Sequence, residues 1–132
     1  GFIQYQFVVP LEHEWFLEEF LIKMKSVKGS SFLSVLKKFG KTDSKFLSFP
    51  IEGWTLAIDV NYENNEFRSI LADIDKEIIK IGGRIYLTKD SRLSKESFLQ
   101  MYPEIHKWKD IKTNMDPDNY WKSQQGERLG LC

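Results

Sequence analysis

Cysteine is almost absent: Cys132 is the only one in 132 residues, and it stands last. An intrachain disulfide and a thiolate zinc cluster are both excluded, and such a chain suits a reducing compartment. Histidine is equally scarce. His13 and His106 lie far apart with no ligand-spaced partner, so no metal is expected. Excess charge is lacking too, since 19 Lys and Arg face 19 Asp and Glu. That balance argues against non-specific nucleic-acid binding, which needs surplus cations, and it offers no polybasic membrane anchor. No apolar run reaches the roughly 18 residues of a transmembrane helix. There is no charged-then-apolar leader, no glycine-rich phosphate loop, and no Ser/His/Asp arrangement.

What is present is the material of one globular domain: 42% hydrophobic and 14% aromatic residues. A strand pattern begins directly after Gly1, from which we expect a piece of a longer protein. From Phe2 to Val9, Ile3, Tyr5, Phe7 and Val9 fall on one face, with Gln4 and Gln6 on the other. Pro10 stops that strand. A helix is predicted from Leu11 to Val27, with Leu17, Phe20, Leu21, Met24 and Val27 inward. Phe32 to Phe39 and Trp54 to Val60 read as strands, separated by a loop ending in the apolar patch Phe46 to Pro50. Glu66 to Ile81 carries a helical stripe of Phe67, Ile70, Leu71, Ile74, Ile78 and Ile81, halted by Gly82-Gly83. Arg84 to Thr88 reads as the fourth strand.

The order β-α-β-β-α-β predicts an α+β, ferredoxin-like domain over residues 1–92, an antiparallel sheet with both helices on one face. A helical tail follows over 93–132. Ser94 is the predicted N-cap of a helix through Met101, and further helices are expected over Glu104 to Asn114 and Asp118 to Arg128, broken by Asp116-Pro117. The tail aromatics Trp108, Tyr120 and Trp121 are expected to be packing residues.

The face turned away from the helices is predicted to carry Gln4, Gln6, Thr55, Ala57, Arg84, Tyr86 and Thr88. The register of the second strand is ambiguous; with Phe32 and Leu36 inward, Val35, Lys37 and Phe39 join that face. Amides, hydroxyls, cations and an aromatic suit a polyhydroxylated ligand. A plain solvated face fits the same pattern. RNA binding is a third reading, but the paired aromatics and glycine-rich basic signature of RNA-binding domains are missing.

Several segments together resemble a known family: Gly1 to Pro10, Ser31 to Gly40, Leu47 to Trp54, Gly82 to Arg92, Met101-Tyr102-Pro103, Asp116-Pro117 and Arg128 to Leu131. In this order they are similar to the C-terminal half of vanillyl-alcohol-oxidase-type flavoproteins that oxidise lipid-linked sugars. The resemblance implies a substrate-binding cap domain, with FAD held mainly by a separate N-terminal domain. It implies oxidation of a sugar hydroxyl, such as the 2′-hydroxyl of a polyprenylphosphoryl pentose, by hydride transfer to flavin, with a partner short-chain reductase. It implies a cytoplasmic enzyme, membrane-associated when whole, whose isolated cap is inactive.

By the same resemblance Lys89 and Tyr86 are catalytic and contact the flavin together with Gln6. Gln4, Gln6, Lys37, Phe39, Thr55 and Ala57 bind substrate. Two positions depart from the pattern, since mycobacterial members carry an asparagine and a cysteine where this chain has Thr55 and Ala57. Asp90 and Arg92 are expected to form a structural ion pair. The alternative outside that family is a stand-alone binding module without redox activity.

Overall fold

The computed structural model describes residues 1–25, 33–41, 45–61 and 65–132. Four strands, β1 (Phe2–Pro10), β2 (Ser34–Phe39), β3 (Gly53–Asn61) and β4 (Arg84–Ile85), form one antiparallel sheet in the order β2-β3-β1-β4. Helix α1 (Trp15–Lys25) joins β1 to β2, and α2 (Asn65–Lys80) joins β3 to β4. The domain is therefore α+β, and its strand order is that of two interleaved β-α-β units.

The alternation of β1 sets the core. Tyr5, Phe7 and Val9 point to the helices, and Phe7 meets Phe16 and Phe20 of α1 edge-on at 5.7 and 4.9 Å. From β3, Leu56, Ile58 and Val60 join them, and from α2, Phe67, Leu71, Ile74 and Ile78. Phe7, Phe20 and Phe67 are wholly buried; truncating one such side chain to alanine costs about 3–5 kcal/mol.

Helix α1 starts later than its sequence predicts. A short 3-10 turn, Leu11–His13, follows Pro10 before the α-helix begins. The buried stripe is consequently Phe16, Phe20 and Met24, while Leu21 and Ile22 are exposed. The predicted helix end at Val27, and Phe32, lie outside the described residues. The α2 stripe is as predicted, apart from a buried acid, Asp75, at its centre.

Glycines close α2 tightly. Gly82 has φ +73°, and a Cβ on Gly83 would stand 2.5 Å from the Val8 carbonyl oxygen. Only glycine lets the chain pass so near β1. The predicted fourth strand is cut short. After Ile85 one further ladder bond forms, from Tyr86 N–H to the Gln6 carbonyl at 2.9 Å. The chain then coils into a 3-10 turn, Leu87–Lys89, so Thr88 is not a strand residue. The Asp90 carboxylate accepts the N–H groups of Arg92 and Leu93 at 3.0 and 2.8 Å, a local alternative to continuing the ladder.

The tail contributes α3 (Lys95–Met101), α4 (Ile105–Met115) and α5 (Gln124–Leu129). Ser94 caps α3 as expected, accepting the Ser97 N–H at 3.1 Å. The last helix begins at Gln124, six residues beyond the predicted Asp118. Asp116 is the reason: its carboxylate takes the N–H groups of Tyr120 and Trp121 at 2.8 and 3.0 Å, holding that stretch out of a helix. Of the three tail aromatics Trp108 packs on the core, while Tyr120 and Trp121 are 80% and 71% exposed.

Candidate active site

The second face of the sheet carries most of the predicted site. In an antiparallel ladder, directly opposed residues share a face. The register pairs Lys37 with Thr55, Val35 with Ala57 and Phe39 with Gly53, which resolves the ambiguous second strand. It pairs Gln6 with Ala57 and Gln4 with Asp59. Tyr86 follows β4 beside Gln6, through the bond between their backbones. From edge to edge the face reads Lys37, then Thr55 and Ala57, then Gln6, then Tyr86.

This face is not bare, as the sequence suggested. Gln6, Thr55 and Ala57 are buried at 7%, 1% and 7% exposure. The segment before β3 lies over it: Phe49 stacks on Tyr86 at 4.5 Å and meets Phe39 edge-on at 5.8 Å. The apolar patch Phe46 to Pro50 was visible in the sequence, but nothing local said which surface it would cover. Arg84 anchors the segment, giving an Nη1 hydrogen to the Ser48 carbonyl at 2.9 Å, with its guanidinium over the Tyr102 ring at 5.1 Å. Burial lowers the Arg84 pKa, yet the group stays protonated in any ordinary buffer.

Hydrogen bonds define what each polar group has left to give. The Gln6 amide donates to Thr55 Oγ1 at 3.0 Å, and Thr55 Oγ1 donates to the Phe7 carbonyl at 2.8 Å. The Thr55 hydroxyl proton is thus committed within the protein, and the residue holds Gln6 in place. Among the described residues no donor reaches the Gln6 amide oxygen. Gln4 donates to Asp59 at 3.1 Å on the exposed part of the face. The alternation of β3 puts Asp59 on the same face as Thr55 and Ala57, but a lone acid on a strand carries no signal for binding. Ala57 contributes only a methyl group.

Lys89 ends the 3-10 turn, its N–H bonded to the Tyr86 carbonyl at 3.1 Å. It is half-buried, and among the described residues no carboxylate lies within ion-pairing distance of its ammonium group. The neighbouring charges are all engaged elsewhere. The expected pair of Asp90 with Arg92 does not form as such. Asp90 pairs with Arg128 at 2.8 Å and Arg92 with Asp75 at 2.7 Å, although Arg92 gives its backbone N–H to Asp90. Both partners come from distant elements, α5 and α2, which adjacency in sequence cannot reveal.

Fold and face together define an α+β domain with a buried amide–hydroxyl pair, a stacked phenol and an uncommitted ammonium group near one sheet edge. The comparison with known proteins is more particular. The chain is 37% identical over 131 residues, 99% of its length, to decaprenylphosphoryl-β-D-ribose oxidase of Mycolicibacterium smegmatis, of which it covers 28%. It is 33% identical over 97 residues to an uncharacterized protein in the mprA 5′ region of Streptomyces coelicolor, covering 74% of this chain and 26% of that protein. No family model matches. The chain therefore resembles that oxidase along nearly its whole length, as the sequence motifs implied, while spanning under a third of the length of either relative. Among the described residues no helix is long and apolar enough to cross a membrane, and no group of three or more His, Cys, Asp and Glu side chains could hold a metal ion.

Proposed function

We propose that this chain is the substrate-binding cap of an FAD-dependent oxidoreductase that oxidises a hydroxyl of a sugar, in the first instance the 2′-hydroxyl of a polyprenylphosphoryl pentose. One observation carries the reading. In a chain similar to a ribose oxidase, Gln6, Tyr86 and Lys89 are linked by consecutive backbone bonds at the sheet edge, and Lys89 keeps its ammonium uncommitted.

The donor set suits a flavin and a sugar. The ring of Tyr86, stacked on Phe49, offers a flat apolar surface with a phenol at its tip. The free oxygen of the Gln6 amide accepts a hydrogen bond, and Lys89 supplies positive charge. When bound, FAD supplies the acceptor for the hydride leaving the carbinol carbon. The side chains of this domain do the rest. Lys89 donates from Nζ to the hydroxyl oxygen and stabilises the negative charge that grows there as the hydroxyl proton leaves to solvent, the C–H bond breaks and a ketone forms. Gln6, steadied by Thr55, orients the sugar. Lys37 and Phe39 on the outer strand, with Gln4 on β1, line the approach, and Ala57 leaves room beside Gln6.

In this reading a separate N-terminal domain of the full-length protein holds most of the FAD, and this chain alone does not turn over. A short-chain reductase completes the conversion of the keto sugar. The whole enzyme works in the cytoplasm and reaches its lipid-linked substrate at the membrane surface.

The test is anaerobic bleaching of the flavin in the full-length protein by polyprenylphosphoryl sugars and by simple aldonolactones. Bleaching by the former, slowed roughly 100- to 1000-fold in Lys89→Ala with the melting temperature unchanged, is the expected result. A full-length protein that binds no flavin, or a Lys89→Ala variant that bleaches normally, overturns the proposal or the role of Lys89 respectively.

A further inference from the structure

We infer that Gln125 and Arg128, on the final helix, are positioning residues that fix Lys89 at its working place. The inference rests on the assignment of Lys89 above and extends it to side chains with no place in that scheme. Lys89 sits in a turn of three residues, which by itself has little to hold it: 3-10 turns are short and their hydrogen bonds poorly aligned. Helix α5 supplies what the turn lacks. The Gln125 amide donates to the Leu87 carbonyl at 2.6 Å and to the Asp90 carbonyl at 3.2 Å, so one side chain grips the backbone on both sides of Lys89. Arg128 adds a second grip. Its Nη2 pairs with the Asp90 carboxylate at 2.8 Å, and its Nη1 donates to the Leu93 carbonyl.

Asp90 is the hub of this arrangement. Its side chain is 2% exposed, and its two oxygens take the N–H groups of Arg92 and Leu93 on one side and the Arg128 guanidinium on the other. The residue next to Lys89 is thereby locked to the chain before, the chain after, and a helix that starts 34 residues further on. Helix α5 is itself pinned at both ends. Ser123 caps it, accepting the Gly126 N–H at 3.0 Å, and Gly130 closes it in the left-handed conformation at φ +71°. A lysine with four flexible side-chain bonds gains accuracy only if its Cα is fixed, and here two α5 side chains add to the single backbone bond that ties Lys89 to the sheet edge.

The experiment uses the full-length flavoprotein and single-turnover anaerobic reduction by the substrate that bleaches the parent. Gln125→Ala and Arg128→Ala are each compared with the parent, and again in the Lys89→Ala background, where the residual rate is followed over hours. The expected result is a fall of roughly 10- to 100-fold in the limiting reduction rate, the size of effect that a misplacement near 1 Å produces. Substrate affinity stays within about 2-fold, and the fall disappears once Lys89 is gone. A fall of equal size in the Lys89→Ala background means that α5 acts on the fold and not through Lys89, and overturns the inference. So does a parental rate in both single variants. Gln125→Ala guards against misfolding, because it removes one amide and leaves the Asp90–Arg128 pair intact. If Lys89→Ala itself reduces at the parental rate, the assignment of Lys89 has failed, and the positioning role falls with it for that separate reason.

Discussion

The hydroxyl of Tyr5 donates to the Asp75 carboxylate at 2.8 Å, beneath the guanidinium of Arg92, which pairs with the same oxygen at 2.7 Å. This triad ties β1, α2 and the loop after Lys89 into one unit. The side chains of Arg92 and Asp75 are only 11% and 6% exposed, so neither charge can fall back on water. Burial is the main influence on both acids: it pushes the Tyr5 phenol well above its ordinary range and raises Asp75 against the opposing pull of Arg92.

Replacing Asp75 by alanine is expected to destabilise the domain by about 3–5 kcal/mol, because it removes the oxygen that Tyr5 and Arg92 both bond in a dry setting. Adding Arg92→Met should recover part of that loss. Urea unfolding of the single and double variants checks this; a double variant less stable than Asp75→Ala would refute it. The pH dependence has a definite sign. The folded state holds the Asp75 proton more tightly than the unfolded chain does. Through this group, stability therefore declines as pH rises from the ordinary value of 3.8 to the raised one, and does not collapse in acid.

Asp116 behaves in the opposite way. The hydrogen bond from Lys112 is the largest cause of a pKa below the usual 3.8, helped by the N–H groups of Trp121 and Tyr120. Its contribution is fully present above pH 3.8 and fades as pH falls through the lower folded value. Amide exchange followed by NMR should show protection of the Tyr120 and Trp121 N–H groups near neutrality and its loss in acid. Asp116→Asn should be less protected near neutrality and lack this pH dependence, and a pH-independent pattern in the parent would contradict the account.

Thr55→Val keeps the shape of the buried side chain and removes its oxygen. Gln6 then loses its partner on β3, and the Phe7 carbonyl loses the hydroxyl. A lost hydrogen bond of this kind is worth about 1 kcal/mol. Under the function proposed above, KM for the sugar in the full-length protein should rise by roughly 5-fold with little change in kcat, since the effect falls on holding the substrate. A drop in kcat at constant KM would instead place Thr55 in the chemical step.

Much of this was legible in the sequence, and the exceptions have a common cause. The alternation of β1 and the stripe of α2 predicted the inward side chains because burial follows the period of each element. The Ser94 cap was legible because its bond spans only three residues. What escaped notice depends on partners far along the chain. The fourth strand stops early because Asp90 and Gln125 offer the backbone other bonds. The second face is covered because Phe49 finds Tyr86, 37 residues later. The buried Asp75 interrupts an apolar stripe because Tyr5 and Arg92 meet it there. The last helix starts late because Asp116 captures two N–H groups that an earlier helix would need.

The corner at Gly82-Gly83 brings α2 back to the sheet with no side chain between Gly83 and the Val8 carbonyl. Tyr86 lies three residues downstream and Lys89 six, so the aim of both is inherited from a junction with nothing to trim. A methyl group at Gly83 would act as a wedge at the root of the lever, swinging its tip far more than its base, and one at Gly82 would strain a left-handed turn. Tolerance to mutation is thus low at a position that has no side chain at all, and a survey of variants that scores only bulky or charged positions would overlook this corner.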